Sequence, residues 1–185
     1  MRQRLLDATI ESLVELGWAG TTTTEVSRRA GVSRGAQLHH FPNKYELVTA
    51  AVKHLAQKRS ADLVSDAQAM GDDRRTRDVL ELLSTQFTGS VFQAALELWV
   101  AARSDETLSA QMIDFERDIG RETHVVAVRL LGINETLGRN RQLVQLTLDV
   151  MRGLGLAQSL SDDSARRAVV LDTLAITLDT ELDFS

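Results

Sequence analysis

The sequence predicts an all-α protein of about nine helices, in which an N-terminal three-helix domain precedes a larger helical domain. Three observations predict it. Proline, which breaks helix interiors, occurs once in 185 residues. Leu, Ala and Val recur over long stretches at three- and four-residue spacing, the period of one helix face. Alternating or β-branched runs that would read as strands are few, and a hydrophobic fraction of 43% supplies enough apolar surface for a core.

The first helix is predicted over residues 2–16, with Leu5, Leu6, Ile10 and Leu13 on one face, Gly17 as its stop and Trp18 closing the corner. Thr22 caps a second helix and Glu25 follows three residues later, the capping-box spacing. Gly31 ends that helix, because glycine readily takes the left-handed conformation of a sharp turn. Ser33 caps a third, Arg34 to His40, stopped before Pro42. Asn43 opens a long fourth helix to Ala69, and the polar segment Met70 to Arg77 reads as a loop. Helices then follow over Asp78 to Thr88, from Gly89 or Ser90 through Arg103, and over Thr107 to Leu131, where Gly132 ends the run. After a connector at Asn134 come the last two, Arg139 to Leu160 and Asp162 to Leu182, with Ser161 or Asp162 as cap.

Two short helices joined by a three-to-four-residue glycine turn form the helix-turn-helix unit, which points to DNA. A total charge of −5 argues the other way until its distribution is read. Residues 1–60 hold nine Lys or Arg against five acids, a net of +4, so the remainder carries −9. A local basic surface suffices for phosphate contacts. The chain has no cysteine, hence no disulfide and no thiolate metal site. It has no 18-residue apolar run and no signal-peptide pattern, so a cytoplasmic location without a membrane partner is expected.

The stretch GWAGTTTTEVSRRAGVSRGAQLHHFPNKYEL, Gly17 to Leu47, resembles the N-terminal DNA-binding domain of the TetR family of bacterial transcription regulators. The likeness lies in the glycine and aromatic after the first helix, the threonines before the second, AGVS at the turn, HHF ending the third helix and PNK opening the fourth. It implies a DNA-binding domain over residues 1–46 and a regulatory and dimerisation domain over 47–185. It further implies a homodimer that places two third helices in successive major grooves about 34 Å apart. The operator would be a near-palindromic duplex. Repression is the default activity, relieved when a small-molecule effector enters the C-terminal domain.

Arg34, at the exposed start of the third helix, has the fork that fits guanine O6 and N7, and Gln37 could read adenine in the same bidentate manner. Gly35 and Ala36 lack bulk and let the backbone approach the groove; Ala36 suits a thymine methyl. Thr22, Thr23 and Thr24 lie at a helix N-terminus, where hydroxyls and free N–H groups favour phosphate. Lys44, at the family's lysine position, is expected to bind phosphate as a point charge, and His40, with His39 as a second candidate, to add hydrogen bonds. One departure stands out: the family commonly has tyrosine, a phosphate ligand, at Leu38. The expectation is that Leu38 packs inward while Gln37 projects toward DNA.

In the larger domain, Trp99 and Arg103 lie one turn apart and, with Phe115 and His124, are candidate pocket residues, each equally readable as core or surface. Leu143, Leu146, Val150 and Leu154 of the eighth helix and Val170, Leu174 and Leu178 of the ninth form stripes suited to a four-helix dimer interface or to an internal core. No cofactor, metal site or catalytic residue is expected. The sequence lacks a Gly-rich phosphate loop, a serine elbow and metal-binding histidine spacings, and adjacent His39 and His40 point about 100° apart on a helix. An effector-independent DNA-occluding dimer is the nearer alternative, and a helical enzyme the more distant one.

Overall fold

The computed structural model describes residues 1–69, 71 and 75–183. Among these it contains nine α-helices and no strand: α1 (Arg2–Gly20), α2 (Thr23–Ala30), α3 (Arg34–His40), α4 (Lys44–Ala69), α5 (Thr76–Ser84), α6 (Gly89–Ala102), α7 (Glu106–Leu131), α8 (Asn140–Gln158) and α9 (Ser164–Glu181). A single 3-10 turn, Thr85–Phe87, follows α5. Half of the loop expected over Met70 to Arg77, namely Met70, Asp72, Asp73 and Arg74, lies outside the described residues.

Side chains set several helix ends. Thr22 accepts from the Glu25 N–H at 3.1 Å, Ser33 from that of Ala36 at 3.2 Å and Asn43 from that of Glu46 at 2.9 Å. Asp105, just ahead of α7, accepts from the Leu108 N–H at 3.0 Å. Helical hydrogen bonding in α1 continues beyond the expected stop to Gly20, but Gly17 sits at φ 64°, ψ −174°, so the stop survives as a kink. Asp78 to Thr88 is split, with α5 ending at Ser84 and the 3-10 turn completing the segment.

The helices form two compact units. The first comprises Met1–Lys58 and Gly89–Ile119. Its core gathers Leu5, Leu6 and Leu13 of α1, Val26 of α2, Leu47 and Val48 of α4, Leu98 of α6 and Leu108 of α7, all 0–1% exposed. The second comprises Arg59–Thr88 and Gly120–Ser185, with α5 packed on α8 and α9. The first unit thus joins residues 1–58 to α6 and the first half of α7, with α6 packed on α1.

That packing corrects part of the interface expectation. Leu143, Leu154, Leu174 and Leu178 are 0–8% exposed within the chain itself, because α5 and the 3-10 turn cover the stripe they form. They are core. Leu146 at 49% exposure, Val169 at 64% and Ile176 at 68% face outward instead, and Val150 and Val170 are half-buried. Gly155 belongs to the same inward face: a Cβ on it would stand 2.0 Å from the Phe87 carbonyl oxygen. Asn140, fully buried, ties the unit's end together by donating to Asn134 O at 2.9 Å and Asp183 O at 2.7 Å while accepting from Asp183 N.

Candidate nucleic-acid interface

The turn between α2 and α3 is fixed by backbone chemistry. Gly31 takes φ 62°, ψ 41°; its N–H donates to Arg28 O at 3.3 Å and the Val32 N–H to Ser27 O at 3.1 Å, the paired bonds of a Schellman motif. Val26 and Ala30 bury the inner side of α2. The result is a short, rigid presentation of α3.

On α3, Arg34, Gly35, Leu38, His39 and His40 are exposed and Ala36 is half-buried. A Cβ added at Gly35 would meet nothing within 4 Å, so the backbone there is open to approach. Gln37 and Leu38 exchange the roles expected of them. Gln37 is completely buried; its Nε2 donates to Phe41 O at 2.6 Å while the Phe41 N–H donates to Gln37 O at 2.8 Å. A side chain so enclosed does not reach a base, which rules out the adenine-reading role expected of it. Leu38, 43% exposed, stands on the outer face one turn beyond Arg34. Helical spacing carried the signal, because Gln37 shares a face with apolar Phe41 and Leu38 shares one with Arg34.

The basic residues divide into committed and exposed groups. Arg28 donates to Glu25 through Nε at 2.8 Å and Nη2 at 2.6 Å, and Arg29 donates to Glu25 at 2.7 Å and pairs with Glu15 at 2.7 Å. The hydrogen bonds from Arg28, then Arg29, hold the Glu25 carboxyl down at about 2. Much of the positive charge of α2 is thus cancelled locally. Glu25 spends its carboxylate on these arginines, so of the expected capping box the structure has the Thr22 half.

Lys44 also departs from expectation. Its ammonium lies 3.7 Å from the centre of the Trp18 ring and donates to the Trp18 carbonyl, and burial lowers its pKa while Asp105 opposes the shift. It braces the corner after α1 instead of standing as an open phosphate-binding charge. Beside it, Tyr45 donates to Asp105 at 2.9 Å, which raises the phenol pKa. Neither tie was visible in the sequence, since each joins segments 26 to 60 residues apart. Among the threonines, Thr22 and Thr24 are exposed and Thr23 is half-buried.

The pocket candidates fall in both units, and Trp99 and His124 are engaged by side chains of their own unit. In the first, the Trp99 indole donates to Glu116 and meets Phe92 edge-on at 6.2 Å, Arg103 is exposed, and Phe115 is buried beside a cleft of about 500 Å³ that Arg2, His40 and Lys53 also line. In the second, His124 shares a 2.7 Å hydrogen bond with Glu135, which also pairs with Arg141 at 3.3 Å. A groove not anticipated from the sequence, about 410 Å³, lies in the second unit between α4 and α7, lined by Ser60, Ala61, Val64, Arg121, Glu122, Val125 and Val126.

Residues 5–51 match the family described as bacterial regulatory proteins, tetR family. The HTH-type transcriptional regulator CymR of Pseudomonas putida is 30% identical over 168 residues, covering 88% of this chain and 81% of that protein. Among solved structures, a transcriptional regulator from Rhodococcus sp. Rha1 superimposes with a TM-score of 0.69 at 25% identity, covering 100% of this chain and 99% of the other. The multidrug binding protein EbrR, crystallised with imidazole, gives 0.63 at 25% identity, covering 94% of this chain and 93% of its own.

Proposed function

Because the chain belongs to the TetR family of bacterial regulatory proteins, we propose that it represses transcription as a homodimer on a near-palindromic operator and lets go when a small molecule binds its C-terminal part. It is a helix-turn-helix DNA-binding regulator and not an enzyme. The exposed face of α3 carries the operator reading: the Ser33 cap and the Gly31 turn hold Arg34 outward where its guanidinium can fork onto guanine. The exposed threonines Thr22 and Thr24, with Thr23 beside them, and the imidazoles of His39 and His40 supply phosphate contacts around it.

Dimerisation uses the outward faces of α8 and α9, where Leu146, Val169 and Ile176 leave apolar surface uncovered and Val150 and Val170 flank it. Four helices from two copies would bury it about a two-fold axis. For the effector, the groove lined by Val64, Val125 and Val126 offers an apolar bed with Arg121 and Glu122 at its rim, which suits an apolar or aromatic molecule bearing one polar group. EbrR, a multidrug binder of the same fold, supports a ligand-responsive reading.

Selecting bound fragments from a random DNA pool tests the proposal. It predicts an enriched near-palindrome with half-sites about one helical turn apart. Arg34→Ala is expected to cost roughly 1 to 3 kcal/mol on that sequence and much less on random DNA. Equal losses on both would remove the base-reading role, and enrichment of no sequence would remove the operator.

A further inference from the structure

The outer face of α3 presents an apolar side chain where a groove-facing helix has most use for a polar one. Leu38 is 43% exposed, and its neighbours on the helix surface are Arg34, Gly35 and His39. Isolated surface leucines are ordinary, so exposure alone says little. What singles this one out is its register. Leu38 lies four residues from Arg34, about 6 Å along the helix and on the same side, with the open backbone of Gly35 between them. Gln37, the only amide on the helix, points into the core and is held by Phe41, so no adenine-reading group remains on this face.

The major groove offers one apolar group, the 5-methyl of thymine. Resting on the operator-binding reading above, we infer that Leu38 reads thymine: its isobutyl group covers the 5-methyl of one thymine in each half-site, one or two base pairs from the guanine held by Arg34. The contact excludes water from both partners and discriminates against cytosine, which presents a donor and no methyl at that edge. A tyrosine at this position would serve a phosphate and carry no base information; leucine turns the same position into a reader.

The test uses the full chain and the operator enriched from a random pool. Each thymine is replaced singly by deoxyuridine, which removes only the methyl, and binding is measured for the wild type, for Leu38→Ala and for Arg34→Ala. One thymine per half-site is expected to weaken wild-type binding about fourfold when demethylated, the worth of one buried carbon. Leu38→Ala is expected to be indifferent to that substitution, while Arg34→Ala keeps the sensitivity. A wild type insensitive to every deoxyuridine, or a Leu38→Ala variant as sensitive as the wild type, would overturn the inference and leave operator binding standing. Enrichment of no sequence would sink the operator reading, and the inference with it.

Discussion

Gln37 acts from inside the protein on a helix whose outside meets DNA. Its side-chain amide and its own carbonyl both engage Phe41, so the end of α3 is closed twice on one residue. Gln37→Ala strips the Phe41 carbonyl of its partner and opens a small cavity, and is expected to destabilise the chain by roughly 1 to 3 kcal/mol in urea melts. The base preferences recovered from a random pool should stay unchanged. A shift in preference at an adenine would restore the amide as a reader. Arg34 could be placed from the sequence because a helix start after a cap is exposed by construction. Gln37 and Leu38 exchange their expected places because register outweighs side-chain chemistry: an amide suits a groove, but the four-residue step to Phe41 turns it inward. The place of Lys44 was not legible for another reason: the indole and carbonyl that engage it come from a segment 26 residues earlier.

Among the elements, α8 shows most clearly what a stripe of apolar residues leaves undecided. Its period was legible, and so were the caps at Thr22, Ser33 and Asn43, because a side-chain oxygen ahead of a helix acts within four residues; at α9 the expected Ser161 or Asp162 gives way to Asp163 as N-cap. Which side of the stripe meets the protein's own helices depended on α5, whose packing no local pattern records. The two glycines of α8 separate these roles. A Cβ at Gly155 would fall 2.0 Å from backbone oxygen, so Gly155→Ala is expected to destabilise by at least about 1 to 3 kcal/mol through overpacking. At Gly153, exposed and with nothing within 4 Å, alanine should stabilise the isolated subunit by up to about 1 kcal/mol through helix propensity. Thermal melts of the two variants in parallel check the contrast; equal losses would mean that Gly153 is also packed closely, as at a tight subunit contact.

For the whole molecule, the proposed dimer rests on Leu146 and Ile176, which the chain leaves exposed. A Leu146→Glu, Ile176→Glu double variant is expected to halve the mass seen by light scattering while keeping its helical circular dichroism; retention of the native mass would exclude this face. Leu174, 8% exposed, is unsuitable for such a test because a charge there would unfold the subunit. The nine-helix plan could be read from periodicity, whereas the grouping of helices could not: α6 returns to α1 across more than 60 residues of sequence. That interleaving of the chain has an optical consequence. Both tryptophans, the Trp18 stacked under Lys44 and the Trp99 bonded to Glu116, fall in the first unit. Indole emission is therefore a private signal of the half that carries α3, while far-ultraviolet ellipticity is shared by both halves, and the unlabelled protein contains its own two-channel reporter of whether they melt together or apart.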